Sequence, residues 1–265
     1  MFLPAKLLLI SLCLVPLIVF SKPVGVQPNP IPVNGTFLKP TGILFTPFPS
    51  AACINPASLP STDSPTALQL AYSPGRGSEP QNFYSGIATA SKGFGFGFGY
   101  FGSLGELKTI NGGFVGIGFK NDLHQYGINY RNADLTSNSL SYFDLAYQYT
   151  DNRENLSYGA VVRGVNNSPE LDLGIGYIAD RFFNIEFNVI SPKVSQLSNG
   201  NFILVGSSNF SISPQITLHI QLNYLTKSSQ VEPLIAANYW ITDNVDGLLQ
   251  FTAPNVWSLG FSLFF

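Results

Sequence analysis

The chain ends in Val256-Trp257-Ser258-Leu259-Gly260-Phe261-Ser262-Leu263-Phe264-Phe265. Counting back from Phe265, every second residue is large and apolar: Phe265, Leu263, Phe261, Leu259 and Trp257. Ser262, Gly260 and Ser258 between them are small, and Phe264 is the exception. Strict period-two alternation places the two sets on opposite faces of a β-strand. With no polar residue after it, the greasy row needs a partner. Lipid supplies one, because a transmembrane strand needs about 9–11 residues. The competing reading is the last strand of a soluble sandwich, packed on a second sheet.

Composition favours lipid. Only 11% of the 265 residues are charged, about half the share usual in a soluble domain, while Phe, Tyr and Gly are abundant. The mean hydropathy is only +0.18. That mixture disfavours helical membrane proteins and ordinary enzymes, and suits a barrel with an apolar skin around a small or polar lumen. A net charge of −2 gives no basic footprint, so no nucleic-acid partner is expected.

Residues 1–21 carry Lys6, an apolar run from Leu7 to Phe20 and then Ser21, the pattern of a secretory signal peptide. A membrane anchor is the alternative, although the run is short for a span. Cys13 follows Leu12, where lipid attachment would want a small residue. Cys53 is then the single cysteine of the mature chain, which excludes an internal disulfide and a multi-cysteine zinc site. No metal and no cofactor is expected.

Residues 22–64 are rich in proline, which removes ladder donors and breaks helices. The first part reads as a solvated tail. The second, from Thr41 to Leu59, is too apolar to stay solvated, and reads as a plug entering a barrel.

Residues 65–265 read as an antiparallel all-β barrel. About fourteen alternating segments fall near 66–73, 82–92, 93–101, 112–119, 124–131, 139–150, 155–163, 169–179, 182–190, 201–212, 214–224, 231–241, 245–253 and 256–265. In the eleventh, Ile216, Leu218, Ile220, Leu222 and Tyr224 oppose Gln215, Thr217, His219, Gln221 and Asn223. In lipid the apolar set faces outward. Even-numbered links, such as Lys92-Gly93, Asp180-Arg181 and Ser213-Pro214, are tight, whereas odd-numbered ones, such as 74–81, 102–111, 132–138 and 191–200, are longer. Short turns on one side and longer loops on the other distinguish a membrane barrel from a sandwich.

Gly93-Phe94-Gly95-Phe96-Gly97-Phe98-Gly99-Tyr100 has glycine spacing like a dinucleotide loop, but lacks the strand-turn-helix context. It reads as a strand with aromatics on lipid and a bare inner face that a plug can approach. His219 with nearby Asn223 invites a lipid-hydrolase reading, yet parity places His219 in the lumen. His124, at a turn-proximal strand end, reads as a polar rim residue. No catalytic residue is assigned. Inward Asp144, Glu170, Asp172, Glu186, Glu232, Asp246 and Arg163 either tune permeation or pair with one another or with the plug.

The ending resembles the C-terminal signal strand of bacterial outer-membrane barrels, so Trp257, Phe261 and Phe265 read as an assembly signal for the barrel-assembly machinery. At Ala51-Ala52-Cys53-Ile54-Asn55-Pro56-Ala57-Ser58-Leu59 the chain resembles the FadL-type family of outer-membrane transporters for long-chain fatty acids and aromatic hydrocarbons, as a short divergent member. That family carries an Asn-Pro-Ala hatch before a fourteen-stranded barrel and a kinked third strand that opens sideways. The resemblance therefore implies a hatch at Asn55, Pro56 and Ala57, flanked by Phe45 and Phe48, and a lateral opening at Gly95, Gly97 and Gly99. It implies a passive channel in the bacterial outer membrane for a small hydrophobic ligand, with outer-membrane lipid around it. The extracellular loops are much shorter than the family's. The alternative function is a structural or partner-binding barrel of an envelope or secretion assembly.

Overall fold

In the computed structural model, the described residues are 43–45, 50–61, 66–74, 81–91, 93–104, 110–135, 138–151, 153–166, 169–180, 183–191, 202–252 and 256–265. The expected signal peptide, the proline-rich stretch before residue 43 and Phe48 lie outside them.

Fourteen strands form one closed antiparallel barrel, each paired with its chain neighbours and the last with the first. They are β1 (Thr66–Ser73), β2 (Gln81–Ser91), β3 (Phe94–Leu104), β4 (Ile110–Asn121), β5 (His124–Leu135), β6 (Asn138–Asp151) and β7 (Leu156–Arg163). They continue as β8 (Glu170–Asp180), β9 (Phe183–Ser191), β10 (Ile203–Ser211), β11 (Ile216–Leu225), β12 (Gln230–Thr242), β13 (Val245–Thr252) and β14 (Val256–Phe264). Closure removes both sheet edges, which lipid cannot hydrogen-bond. At the seam Ala67 pairs with Phe264, and the Phe265 amide donates to the Thr66 carbonyl at 2.9 Å. Fourteen strands about 4.8 Å apart and tilted about 40° make a barrel roughly 28 Å across between backbones.

Parity runs true around the wall. Leu173, Ile175 and Tyr177 are exposed outward, as are Phe94, Phe98 and Tyr100, and Trp257, Leu259 and Phe261. Gln69, Gln125, Asn129, Gln148, Glu186 and Gln250 are buried on the lumenal side. At the tight-turn end of β5–β7, His124, Tyr126, Tyr147, Tyr149 and Tyr158 form an outward aromatic cluster, with the His124 ring bonded to the Tyr147 hydroxyl at 2.9 Å. Such rings suit the membrane interface. His124 is thus part of an aromatic girdle and not an isolated polar rim residue.

Several strands run longer than their alternation suggests. β5 and β6 pair from His124–Tyr149 up to Leu135–Asn138, so the expected loop 132–138 shrinks to residues 136–137. The backbone ladder continues past the last apolar outward residue, because paired N–H and C=O groups do not need an alternating side-chain pattern. The tight end uses left-handed residues where reversal demands them: Gly93 at φ 81° and Asp122 at φ 58°.

Candidate functional site: the lumen and the segment inside it

Residues 50–61 make a short helix, α1 (Ala51–Ile54), and a 3-10 turn (Pro56–Ser61). Neither could exist alone in water, since a four-residue helix is far below the length at which helices hold. What fixes them is packing on the lumenal face of β2–β6. Ala51, Ala52, Cys53, Ile54, Ala57 and Leu59 are buried there.

The seat is made of glycines. A methyl at Gly97 would lie 2.6 Å from the Ala52 Cβ, and one at Gly95 would lie 2.5 Å from the Leu59 Cβ. The seat continues onto β4 and β5: a methyl at Gly116 would strike the Ala52 backbone, at Gly118 the Pro60 ring at 2.7 Å, and at Gly127 the Pro56 Cβ at 2.8 Å. β3 pairs in unbroken register with β2 and with β4, and the bare face of Gly95 and Gly97 is filled from inside. Gly99 receives the Phe114 ring, and Gly112 the Phe101 ring, each glycine lying directly opposite its aromatic in the β3–β4 ladder. A side chain laid on a cross-strand glycine covers backbone that would otherwise be bare.

Polar anchors complete the seat. The Asn55 side chain accepts from the Ala57 amide at 3.1 Å, and its Nδ2 donates to the Ile43 carbonyl at 2.6 Å and to Gln148 Oε1 at 3.1 Å. The first bond is the local clamp expected of an Asn before proline. Asn55 itself reaches β6, while Ala52 and Leu59 on either side of it meet glycine-rich β3. Gln148 is the centre of this network. Its Oε1 also accepts from Ser58 Oγ at 2.7 Å, and its Nε2 donates to the Leu44 carbonyl at 3.2 Å. Across the lumen the Leu44 amide donates to Glu186 Oε1 on β9 at 2.8 Å. Half-buried Phe45 lies over Gly176.

Next to α1 stands a buried charge group. Arg131 donates to Asp144 Oδ1 at 2.9 Å, with its Nε 2.8 Å from Oδ2, and Arg163 Nε donates to Asp172 Oδ2 at 2.6 Å. Asn129 Nδ2 links this group to the segment, donating to the Cys53 carbonyl at 3.1 Å and to Asp144 Oδ2 at 3.2 Å. Arg131, Asn129 and Gln148 were not singled out from the sequence; inward parity within their strands was the signal that could have found them. Of the expected inward acids, Asp144 and Asp172 pair with arginine and Glu186 holds the segment. Asp246 Oδ1 accepts from the Ser262 amide at 3.1 Å. His219 faces the lumen, bonded to Asn209, away from the lipid surface that a lipid hydrolase would need. Burial pushes the Cys53 thiol up to about 11, which leaves it protonated and unreactive at neutral pH. Among the described residues no group of His, Cys, Asp and Glu is placed to hold a metal ion.

A closed antiparallel barrel with an apolar outer face and polar groups inside is the architecture of a transmembrane barrel. No family model matches the sequence, and no curated protein matches it. Among solved structures the chain is similar to engineered mutants of the Rhodopseudomonas blastica porin. One is 11% identical with a TM-score of 0.45, another 12% identical with 0.46, and each alignment covers 76% of this chain and 98% of the porin. At that similarity the strand order and the chemistry of the two faces, not the likeness, define the barrel. Membership of the FadL-type family remains a resemblance carried by Asn55-Pro56-Ala57.

Proposed function

We propose that this chain is a bacterial outer-membrane channel for passive passage of small solutes, its lumen narrowed by the N-terminal segment acting as a plug. One observation carries the reading: the described parts of that segment lie against β2–β9, while the inward faces of β10–β13 carry Ser207, Asn209, His219, Gln221, Asn238 and Gln250 among aliphatic residues.

Uptake of hydrophobic molecules is what the resemblance at Asn55-Pro56-Ala57 implies, and the inner wall beside that motif is apolar. Tyr84 and Phe114 stack at 5.7 Å beside Phe101 and α1, and the buried Tyr84 hydroxyl has no hydrogen-bond partner. Purified protein in planar bilayers is expected to give discrete conductance steps, and in liposomes to admit small neutral solutes. Toluene partitioning into loaded vesicles, compared with empty ones, tests the aromatic permeant. Folded protein that gives neither conductance nor solute entry would refute the channel and favour the structural barrel.

A further inference from the structure

Among the described strands the basic residues are confined to β4, β5 and β7. These are Lys120, Arg131 and Arg163, and Lys120 is exposed at the tight-turn rim. Arg131 and Arg163 are spent on Asp144 and Asp172. From β8 through β14 and on through β3, no strand carries a Lys or Arg. The lumenal face nevertheless bears six carboxylates: Asp144, Glu170, Asp172, Glu186, Glu232 and Asp246. Excess negative charge on low-dielectric walls raises the local concentration of cations and lowers that of anions.

One of these carboxylates lies near a buried acceptor. Glu232 lies directly opposite Asn223 in the β11–β12 ladder, half-buried on the lumenal side and close to the 226–229 link. Gln221, two residues along the same face, is 5% exposed, and its Nε2 donates to Asn223 Oδ1 at 2.7 Å. Its Oε1 is buried with no hydrogen-bond partner. A carboxylate and an amide oxygen without a donor thus occupy diagonal lumenal positions of β11 and β12; neither strand carries a Lys or Arg, and the exposed Lys227 lies in the link that joins them. A buried acceptor left without a donor is costly, and a cation or an ammonium-bearing solute would satisfy it.

We propose that the Glu232–Gln221–Asn223 cluster is a cation-selecting site at the mouth of the lumen, favouring small cations and amines over anions. The inference rests on the channel reading. The test is the reversal potential of the full-length protein in planar bilayers under asymmetric KCl, repeated with Glu232→Gln, Glu232→Lys and Gln221→Lys. Wild type is expected to prefer K⁺ to Cl⁻. Glu232→Gln, nearly isosteric, lowers that permeability ratio about twofold, as expected for one partly screened charge, and either lysine variant moves it toward or past unity. Conductance without ion preference, or anion preference, or ratios unmoved by all three variants, would overturn the site while leaving a channel. Absence of conductance from folded protein would instead refute the channel itself, and this site with it.

Discussion

Gly116→Ala adds one methyl group where the wall meets the helix. That carbon would meet the Ala52 carbonyl oxygen and lie 2.9 Å from the Ala52 C and Cα. Carbon atoms rest at about 3.5–4.0 Å, so something must yield by about 1 Å. β4 is hydrogen-bonded along its length on both sides, so α1 is the part that moves. Overpacking of this kind costs about 1–3 kcal/mol. The same shift strains the 3.1 Å bond from Asn129 to the Cys53 carbonyl, worth about 1 kcal/mol. A penalty of about 2 kcal/mol raises the population with the segment displaced about thirtyfold. Cys53 reports that population, because displacement both uncovers the thiol and removes the burial that pushes it up to about 11. The assay is maleimide labelling of Cys53 in folded, detergent-solubilised barrel at neutral pH, with heat-modifiability confirming the fold. Gly206→Ala is the control, since a methyl there finds no atom closer than 3.7 Å. If Gly116→Ala stays folded and labels no faster than Gly206→Ala, the segment does not rest on β4 and the plug reading fails.

Asp144→Asn is expected to cost about 3–5 kcal/mol, because it leaves Arg131 buried without its counter-charge; urea unfolding in detergent measures it, and a midpoint equal to wild type counts against a structural role for the cluster. Leu218→Arg puts a charge into lipid at about 2–4 kcal/mol near the midplane, whereas Thr217→Arg points into the lumen; equal folding yields in liposomes would undo the face assignment. Gln148→Ala removes the shared partner of Asn55, Ser58 and Leu44, so Cys53 labelling is expected to rise with the barrel intact, and an unchanged rate would show that packing alone holds the segment. Deletion of Phe265 removes the amide that bonds Thr66 at the seam; normal yield of heat-modifiable protein would rule out its role in assembly.

What the sequence by itself determined is the wall. Period-two alternation is a local property, so rows such as Leu171–Tyr177 and Ile216–Tyr224 located the strands and the face each residue takes. A strand's two faces are so unlike here that a register slip of one residue would bury Leu218 and expose His219 to lipid. Strand ends were less legible, because the ladder between Leu135 and Asn138 is held by backbone bonds that leave no side-chain pattern. The interior was decided only by tertiary structure. Nothing local indicates that Gly116 and Gly127, more than ten residues apart, cradle the same α1 and 3-10 turn. Nor does anything local show that Gln148 joins Asn55 over 93 positions of chain, or that Glu186 joins Leu44 over 142. Such contacts depend on closure, which brings distant strands to face one another across the lumen. Parity tells that a residue points inward, and only the closed barrel tells what it meets there.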